Sequence, residues 1–241
     1  MAPKAEYPLR YGVLIMTIHP SLLQQFSLMR LFPTEVLASL AAHSSTHAFS
    51  KREVVLSKEN SSSSLMFLLE GRLQAIDFTM DGREVGLHFI EEGQYFGEIS
   101  VLDGLPSPEV VIANKKSQVV MVPARDIRSH IFATPQAIEA ITSGLTRRIR
   151  DQANQRQILG IISPLQRICA LLQNLTKEGK SPTLIANAPT HQEIAIMVNL
   201  TRETVTRAFQ VLQSQGALAR DGDDLKVDTG KLKQLAEKSS N

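Results

Sequence analysis

Along residues 85–89 apolar positions alternate with small or polar ones, Val85-Gly86-Leu87-His88-Phe89, the period-two pattern of a half-buried strand. Asp81-Gly82 just before it is a strong hairpin signal, and residues 65–76 offer a partner strand. Val110–Ala113 and residues 119–122 are two further β-branched runs, separated by Asn114-Lys115-Lys116-Ser117. Turn signals recurring every ~8–12 residues predict an antiparallel sandwich or barrel over the front half. Glu59-Asn60 and the four serines at 61–64 read as a solvated loop interrupting it.

The pattern then changes period. From Pro135, a natural first-turn residue, apolar side chains fall at Ile138, Ile141, Leu145 and Ile149, with Leu159 near the far end and Gly144 as the one internal breaker. A helix of roughly 24 residues with so narrow an apolar stripe needs a partner, its own domain or a second copy of itself. The stripe turns polar around Gln152 and Gln155, so a strict coiled coil is not implied. Residues 160–164 form a breaker that marks a domain boundary. Beyond it Leu165, Ile168, Leu171 and Leu172 share one helical face, and Cys169 reads as a small buried hydrophobe.

Residues 190–216 carry the most specific pattern. Thr190-His191-Gln192-Glu193 is a capping box that opens a helix with Ile194, Met197 and Val198 on one face. Asn199 tolerates the left-handed backbone that a tight turn needs. Thr201 then caps a second helix, with Leu200 and Val205 placed as a hydrophobic staple and Val205, Ala208, Phe209 and Leu212 as its stripe. Two short helices joined this way form a helix-turn-helix. The other face of the second helix shows Arg202, Glu203, Thr206, Arg207 and Gln210. Arg can grip guanine O6 and N7 with two bonds, and Glu can accept from cytosine N4. Glu203 and Arg207 also stand four apart, the spacing of an ordinary solvated ion pair. The turn, the caps and the following segment favour DNA. That segment, Leu218-Ala219-Arg220, a turn at Asp221-Gly222-Asp223-Asp224, then Leu225-Lys226-Val227, reads as a wing lying beside DNA with Arg220 or Lys226 nearest to it.

Composition narrows the classes further. A single Cys excludes a disulfide framework, a C-x-x-C zinc site and a cysteine-ligated iron–sulfur cluster. No apolar run approaches the roughly 18 residues of a membrane helix, and residues 12–16 are too short for a signal h-region, so a cytoplasmic protein is expected. The overall charge of +2 hides a partition. Residues 1–145 carry 12 basic and 15 acidic side chains, residues 146–160 four and one, and residues 161–241 ten and eight. A polyanion would therefore meet the back half. No Walker loop, G-x-G-x-x-G or nucleophile–base constellation stands out, so no enzyme is expected. His43 and His47 are the one close-spaced histidine pair, and they read as solvent-facing rather than as metal ligands.

Gln192-Glu193-Ile194-Ala195 followed by Thr201-Arg202-Glu203-Thr204-Val205-Thr206-Arg207 resembles the Q-E-I-A…S-R-E-T-V-x-R signature of the cyclic-AMP receptor protein/FNR family of bacterial transcription regulators. The front half agrees through Leu68-Leu69-Glu70-Gly71, Asp81-Gly82-Arg83-Glu84, residues 93–98 and Val101-Leu102-Asp103-Gly104. The resemblance implies an α+β fold: an extension over residues 1–21, a double-stranded β-helix (jelly-roll, cyclic-nucleotide-binding-like) sensor over 22–134, a dimerisation helix over 135–160 and a winged helix-turn-helix over 161–241. It implies a homodimer on double-stranded DNA, with paired recognition helices one helical turn apart, that recruits or blocks RNA polymerase. Thr190, Gln192, Thr201, Arg202, Glu203, Thr206 and Arg207 are its implied DNA contacts, and TGTGA-like half-sites its implied target.

The resemblance thins in the sensor. Its implied effector pocket is Gly97, Glu98, Ile99, Ser107 and Gln152. Glu98 matches the residue that grips a ribose, but Ser107-Pro108 stands where cyclic-nucleotide binders carry Arg-Ser or Arg-Thr, and Gln152-Ala153 where they carry Thr-Ser. Two loop glycines are replaced by Arg52 and Glu59. Without the Arg, burying a cyclic phosphate is costly, so cyclic AMP is disfavoured and no cofactor or metal is expected. A haem- or cyclic-nucleotide-dependent regulator is the alternative. Residues 1–15 precede the family's usual start and are expected to be dispensable or to arise from an upstream start codon; the alternative is an arm packed on the sensor.

Overall fold

The computed structural model describes residues 18–58, 64–80, 82, 84–178 and 183–238. The chain divides into two compact units, residues 1–83 with 87–149, and residues 84–86 with 150–241. The extension at residues 1–15 and the polar loop at 59–63 lie outside the described residues, whereas Ser64 already begins a strand.

The first unit opens with α1 (Pro20–Leu23), a 3-10 turn and α2 (Thr34–His43). Then follow β1 (Ser45–Phe49), β2 (Val54–Leu56), β3 (Ser64–Glu70), β4 (Leu73–Phe78), β5 (Glu84–Ile90), β6 (Tyr95–Phe96), α3 (Glu98–Asp103), β7 (Val110–Ala113), β8 (Ser117–Pro123), α4 (Ala124–Ala133) and α5 (Pro135–Leu159), whose residues from 150 onward group with the second unit. The strands make two four-stranded sheets, ordered β1-β8-β3-β6 and β2-β7-β4-β5. Phe49, Met66, Leu68 and Phe96 of the first sheet pack on Leu56, Leu73, Ala75 and Val111 of the second, which makes the expected β-roll. On the other face of the first sheet Leu65, Phe67, Val120 and Val122 meet Phe26, Leu37, Ile127 and Ile141 of the flanking helices. β3 is thus buried on both faces, which is why Leu65-Met66-Phe67-Leu68-Leu69 is continuously apolar rather than alternating.

Residues 65–76 do not form one strand. The chain breaks at Gly71-Arg72 and passes from the first sheet to the second, so that β4 alone neighbours β5. Gly71 has φ +111°, and a Cβ there would lie 2.2 Å from Ser117 Oγ and 2.7 Å from Ser117 Cα. Gly82 of the expected hairpin also has positive φ, and its N–H donates to Thr79 O at 2.9 Å. Arg52, at one of the replaced glycines, keeps the left-handed backbone, φ 72°, anchored by its N–H to Ala113 O at 2.7 Å.

α5 runs 25 residues, as the apolar stripe predicts. Ile141 and Ile158 are buried and Ile149 is 68% exposed; Leu159 is half-buried, so Ile158 fills the distal core position instead. Gly144, the odd residue in this helix, has a reason. A Cβ there would sit 2.8 Å from the Tyr95 hydroxyl, which reaches to Ala140 O at 3.5 Å.

The second unit contains α6 (Pro164–Glu178), β9 (Leu184–Ile185), α7 (His191–Val198), α8 (Arg202–Ser214), β10 (Leu218–Asp221), β11 (Asp224–Val227) and α9 (Thr229–Lys238). Its sheet is ordered β10-β11-β9. The wing turn is two residues, not four. Asp221 pairs with Asp224 at the strand ends, and Gly222, φ 62°, takes the backbone such a tight turn requires. Cys169 is buried beside Ile168 and Leu172, a core residue as expected.

Gly71→Ala should destabilise the protein by roughly 2–4 kcal/mol, because the added methyl meets backbone as well as side chain and the φ is strained. Urea unfolding of the two proteins checks this; equal midpoints would contradict the crossing geometry.

Candidate nucleic-acid interface and sensor site

In the second unit the turn between α7 and α8 is set by local hydrogen bonding. The Thr190 hydroxyl accepts from Glu193 N at 3.3 Å while the Glu193 carboxylate accepts from Thr190 N at 2.6 Å, a complete capping box. Asn199 closes α7 with φ 49°, ψ 55°. Thr201 caps α8, its hydroxyl accepting from Thr204 N at 3.2 Å. Val205, Ala208, Phe209 and Leu212 are buried, so the opposite face of α8 stands free.

That face carries Arg202, Glu203 and Arg207, all exposed, with Thr206 half-buried beside them. Among the described residues no ion pair within 4.0 Å joins Glu203 to either arginine, so the solvated i,i+4 pair is not formed. Its own N–H and the Thr201 hydroxyl, then Arg202 and Arg207, hold the Glu203 carboxyl below the ordinary range. It is an ionised acceptor flanked by two uncommitted guanidinium donors. Thr190 and Gln192 are exposed at the start of α7. On the wing, Lys226 Nζ is 2.7 Å from Asp221 Oδ2, which leaves Arg220 as the wing cation free of a carboxylate.

In the first unit, Gly97 has left-handed backbone and starts α3 with Glu98; Ile99 follows, half-buried. Glu98 is 2% exposed and its Oε1 lies 2.9 Å from Arg148 Nη1 of α5. The same Nη1 stands 3.7 Å from Glu109 Oε1, and Glu109 is 3.8 Å from His88 Nε2. Ser107 is buried and self-contained, its hydroxyl donating to Glu109 O at 2.8 Å and accepting from Glu109 N at 3.3 Å. Gln152 is exposed on a later turn of α5, in the second unit.

Burial pushes the Glu98 carboxyl up, with Arg148 pulling it back. Burial pushes Glu109 up to about 7, because its share of Arg148 is the longer contact and Glu98 adds repulsion. Burial, then Arg148, push His88 down to about 3, so it is neutral and its approach to Glu109 is not a salt bridge. The site as built is one half-buried cation between two buried carboxylates. Among the described residues no group of three or more His, Cys, Asp or Glu is arranged to hold a metal. His43 is exposed against Asp126, whereas His47 is half-buried against the Ser45 hydroxyl and does not face solvent as expected.

The chain matches the family model described as a cyclic nucleotide-binding domain over residues 46–134 and that of a Crp-like helix-turn-helix domain over residues 166–235. It belongs to the Crp/Fnr family. It is 24% identical over 196 residues to the cAMP-activated global transcriptional regulator CRP of Haemophilus influenzae, covering 80% of this chain and 88% of that one. The structure of FixK2 from Bradyrhizobium japonicum superposes with a TM-score of 0.68 at 18% identity, over 80% of this chain and 96% of that one. That of the c-di-GMP responsive global regulator CLP from Xanthomonas campestris gives 0.63 at 21% identity, over 81% and 99%. The protein is a transcription regulator with a helix-turn-helix DNA-binding domain.

Arg148 was invisible to motif reading. It is one of three arginines at 147, 148 and 150, and only the position of α5 on the roll distinguishes it. His88 was read only as an alternating strand position. An acidic residue directly after a buried Ser-Pro was the available signal.

Glu109 makes stability depend on pH in a definite direction. Its folded carboxyl titrates near 7 against an ordinary 4.5, so folding takes up a proton. The stabilisation is full below about pH 4.5 and is lost as pH rises through 7, roughly 3 kcal/mol in all. Urea unfolding between pH 5 and 8 should show this slope in the wild type and a flatter one in Glu109→Gln. Parallel slopes would mean that Glu109 stays ionised.

Proposed function

We propose that this Crp/Fnr regulator binds as a homodimer to an inverted repeat with TGTGA-like half-sites and that cyclic AMP is not its switch. Residues 22–134 serve as the sensor, 135–160 as the dimerisation helix and 161–241 as the DNA reader. The observation that carries the DNA reading is the free face of α8, where Arg202, Glu203 and Arg207 project from a doubly capped turn with no carboxylate claiming either arginine. Arg-Glu-Arg on one face suits the donors and acceptors of alternating G·C and T·A pairs in a major groove. Thr190, Gln192 and Thr201 at the helix starts suit backbone phosphates, and Thr206 lies within the same surface. Exposed Ile149, on the stripe of α5, fits a seam with a second copy. Recruitment or obstruction of RNA polymerase then follows from where the dimer sits.

The effector does not travel with the fold, since the relatives are described as cAMP-activated in one case and c-di-GMP responsive in another. Ser107 spends its hydroxyl on its own loop, and Arg148 is held by Glu98 and Glu109. An incoming cyclic phosphate would meet two buried carboxylates and, among the described residues, no unclaimed cation. The cAMP-activated relatives support the rival reading, in which Glu98 grips a ribose after giving up Arg148.

Binding to the repeat should exceed binding to a scrambled duplex at physiological salt and fall steeply as salt rises. Arg207→Ala should cost about 1–3 kcal/mol and relax preference at one base pair. Equal affinity for repeat and scramble, measured by anisotropy, would refute the DNA reading. Calorimetry with cyclic AMP should give no micromolar binding and gel shifts no tightening; a micromolar isotherm with tightened DNA binding would establish the rival instead.

A further inference from the structure

His191 stands at the first position of α7, between Thr190 and Gln192, and belongs to none of the signature residues discussed so far. Its ring is half-buried, 4.5 Å from the Phe209 ring. Its Nδ1 lies 3.0 Å from Thr206 Oγ1. The Thr206 hydroxyl donates its single proton to Arg202 O at 2.9 Å, so Thr206 accepts from His191 and Nδ1 carries the hydrogen. The imidazole therefore braces the recognition helix at the turn that presents Arg202. In this tautomer Nε2 is a bare lone pair when the ring is neutral and becomes a donor only when the ring is charged.

Among the described residues the charges felt at this ring are both positive, Arg220 from the wing strand β10 and Arg202 from α8. Three elements thus bring positive or potentially positive groups to one place: α7 through its N-terminus and His191, α8 through Arg202 and β10 through Arg220. Burial, then Arg220 and Arg202, keep the ring's affinity for a proton below the ordinary value in the free protein. Such mutual repulsion is relieved by an oxyanion placed among the cations.

We propose that His191 is a DNA-contacting residue that takes up a proton on binding, its Nδ1–H bracing Thr206 while the newly formed Nε2–H donates to a backbone phosphate. This rests on α8 being the helix that reads DNA. A phosphate offsets the repulsion from Arg202 and Arg220 and accepts a charge-assisted bond, so the bound state favours the imidazolium that the free state disfavours. By linkage, affinity rises as pH falls through the range in which the free protein is neutral and the complex is charged.

The test is the affinity of the full chain for a duplex carrying the TGTGA inverted repeat, followed by anisotropy from pH 8.0 to 5.5 at constant ionic strength. Wild-type affinity should tighten about tenfold across that range. In His191→Asn, whose amide N–H can still brace Thr206 but cannot charge, the repeat should be preferred as before with a flat pH profile. In His191→Arg, a cation that does not titrate, the profile should also be flat, with affinity at pH 8.0 at least as tight as the wild type. The imidazole resonance should titrate at higher pH with duplex than without. Specific binding whose pH slope is the same in wild type and His191→Asn would overturn the proposal and leave the DNA reading standing. No preference for the repeat at any pH would remove the DNA reading and this inference with it.

Discussion

A guanidinium taken out of water must be neutralised, and the first unit is arranged around meeting that demand for Arg148. Glu98, 2% exposed, supplies the near carboxylate at 2.9 Å and Glu109 the far one at 3.7 Å. Removing one partner from a buried pair of this kind leaves an uncompensated charge, which costs several kcal/mol. The roll therefore grips α5 at a fixed rotation as well as through apolar contact. Tyr95 reinforces the same rotation, since its hydroxyl fits over Gly144 only where that helix position lacks a Cβ. One cation cannot satisfy two carboxylates equally, and the unequal distances explain why Glu109 is the member left near neutrality. The fixed charges of this site hold a cation that is already in the chain, Arg148.

The reader depends on a different economy, in which backbone groups are satisfied locally so that side chains stay free. Thr190, Glu193 and Thr201 absorb the exposed N–H groups at the two helix starts, and Asn199 turns the chain between them. Arg202, Glu203 and Arg207 on the outer face of α8 are then left exposed. Arg202 and Arg207 remain uncommitted to carboxylates, while every apolar residue of the stripe from Val205 to Leu212 is buried. Lys226 shows the contrast, since Asp221 claims it across the wing hairpin.

What could be read from the chain alone divides along the same line. The helix-turn-helix was legible to single residues because caps, a left-handed Asn and an apolar stripe are local devices. The 25-residue helix was legible for the same reason. The roll was legible only as a class. Residues 65–76 look like one strand by hydropathy, because β3 is buried on both faces and shows no alternation, and the crossing at Gly71 depends on Ser117, which lies 46 residues away. β1, β2 and β6 are five, three and two residues long, too short for periodicity to register. The sensor site failed for a related reason. Glu98 stood out by motif, but Arg148, Glu109 and His88 come from α5, the loop before β7 and β5, and no spacing in sequence joins them.

α5 itself carries the remaining constraint. In the first unit Arg148 ties it to the roll; in the second, Gln155 donates from its amide to Met197 O at the end of α7. Met197 O is one of the last carbonyls of α7, left without an intrahelical partner by the turn at Asn199, and Arg167 takes the next one, Val198 O, at 3.0 Å. The C-terminal end of α7 is thus satisfied from three sides: the N–H groups of Asn199 and Leu200 in the turn bond Ala195 O, α5 bonds Met197 O and α6 bonds Val198 O.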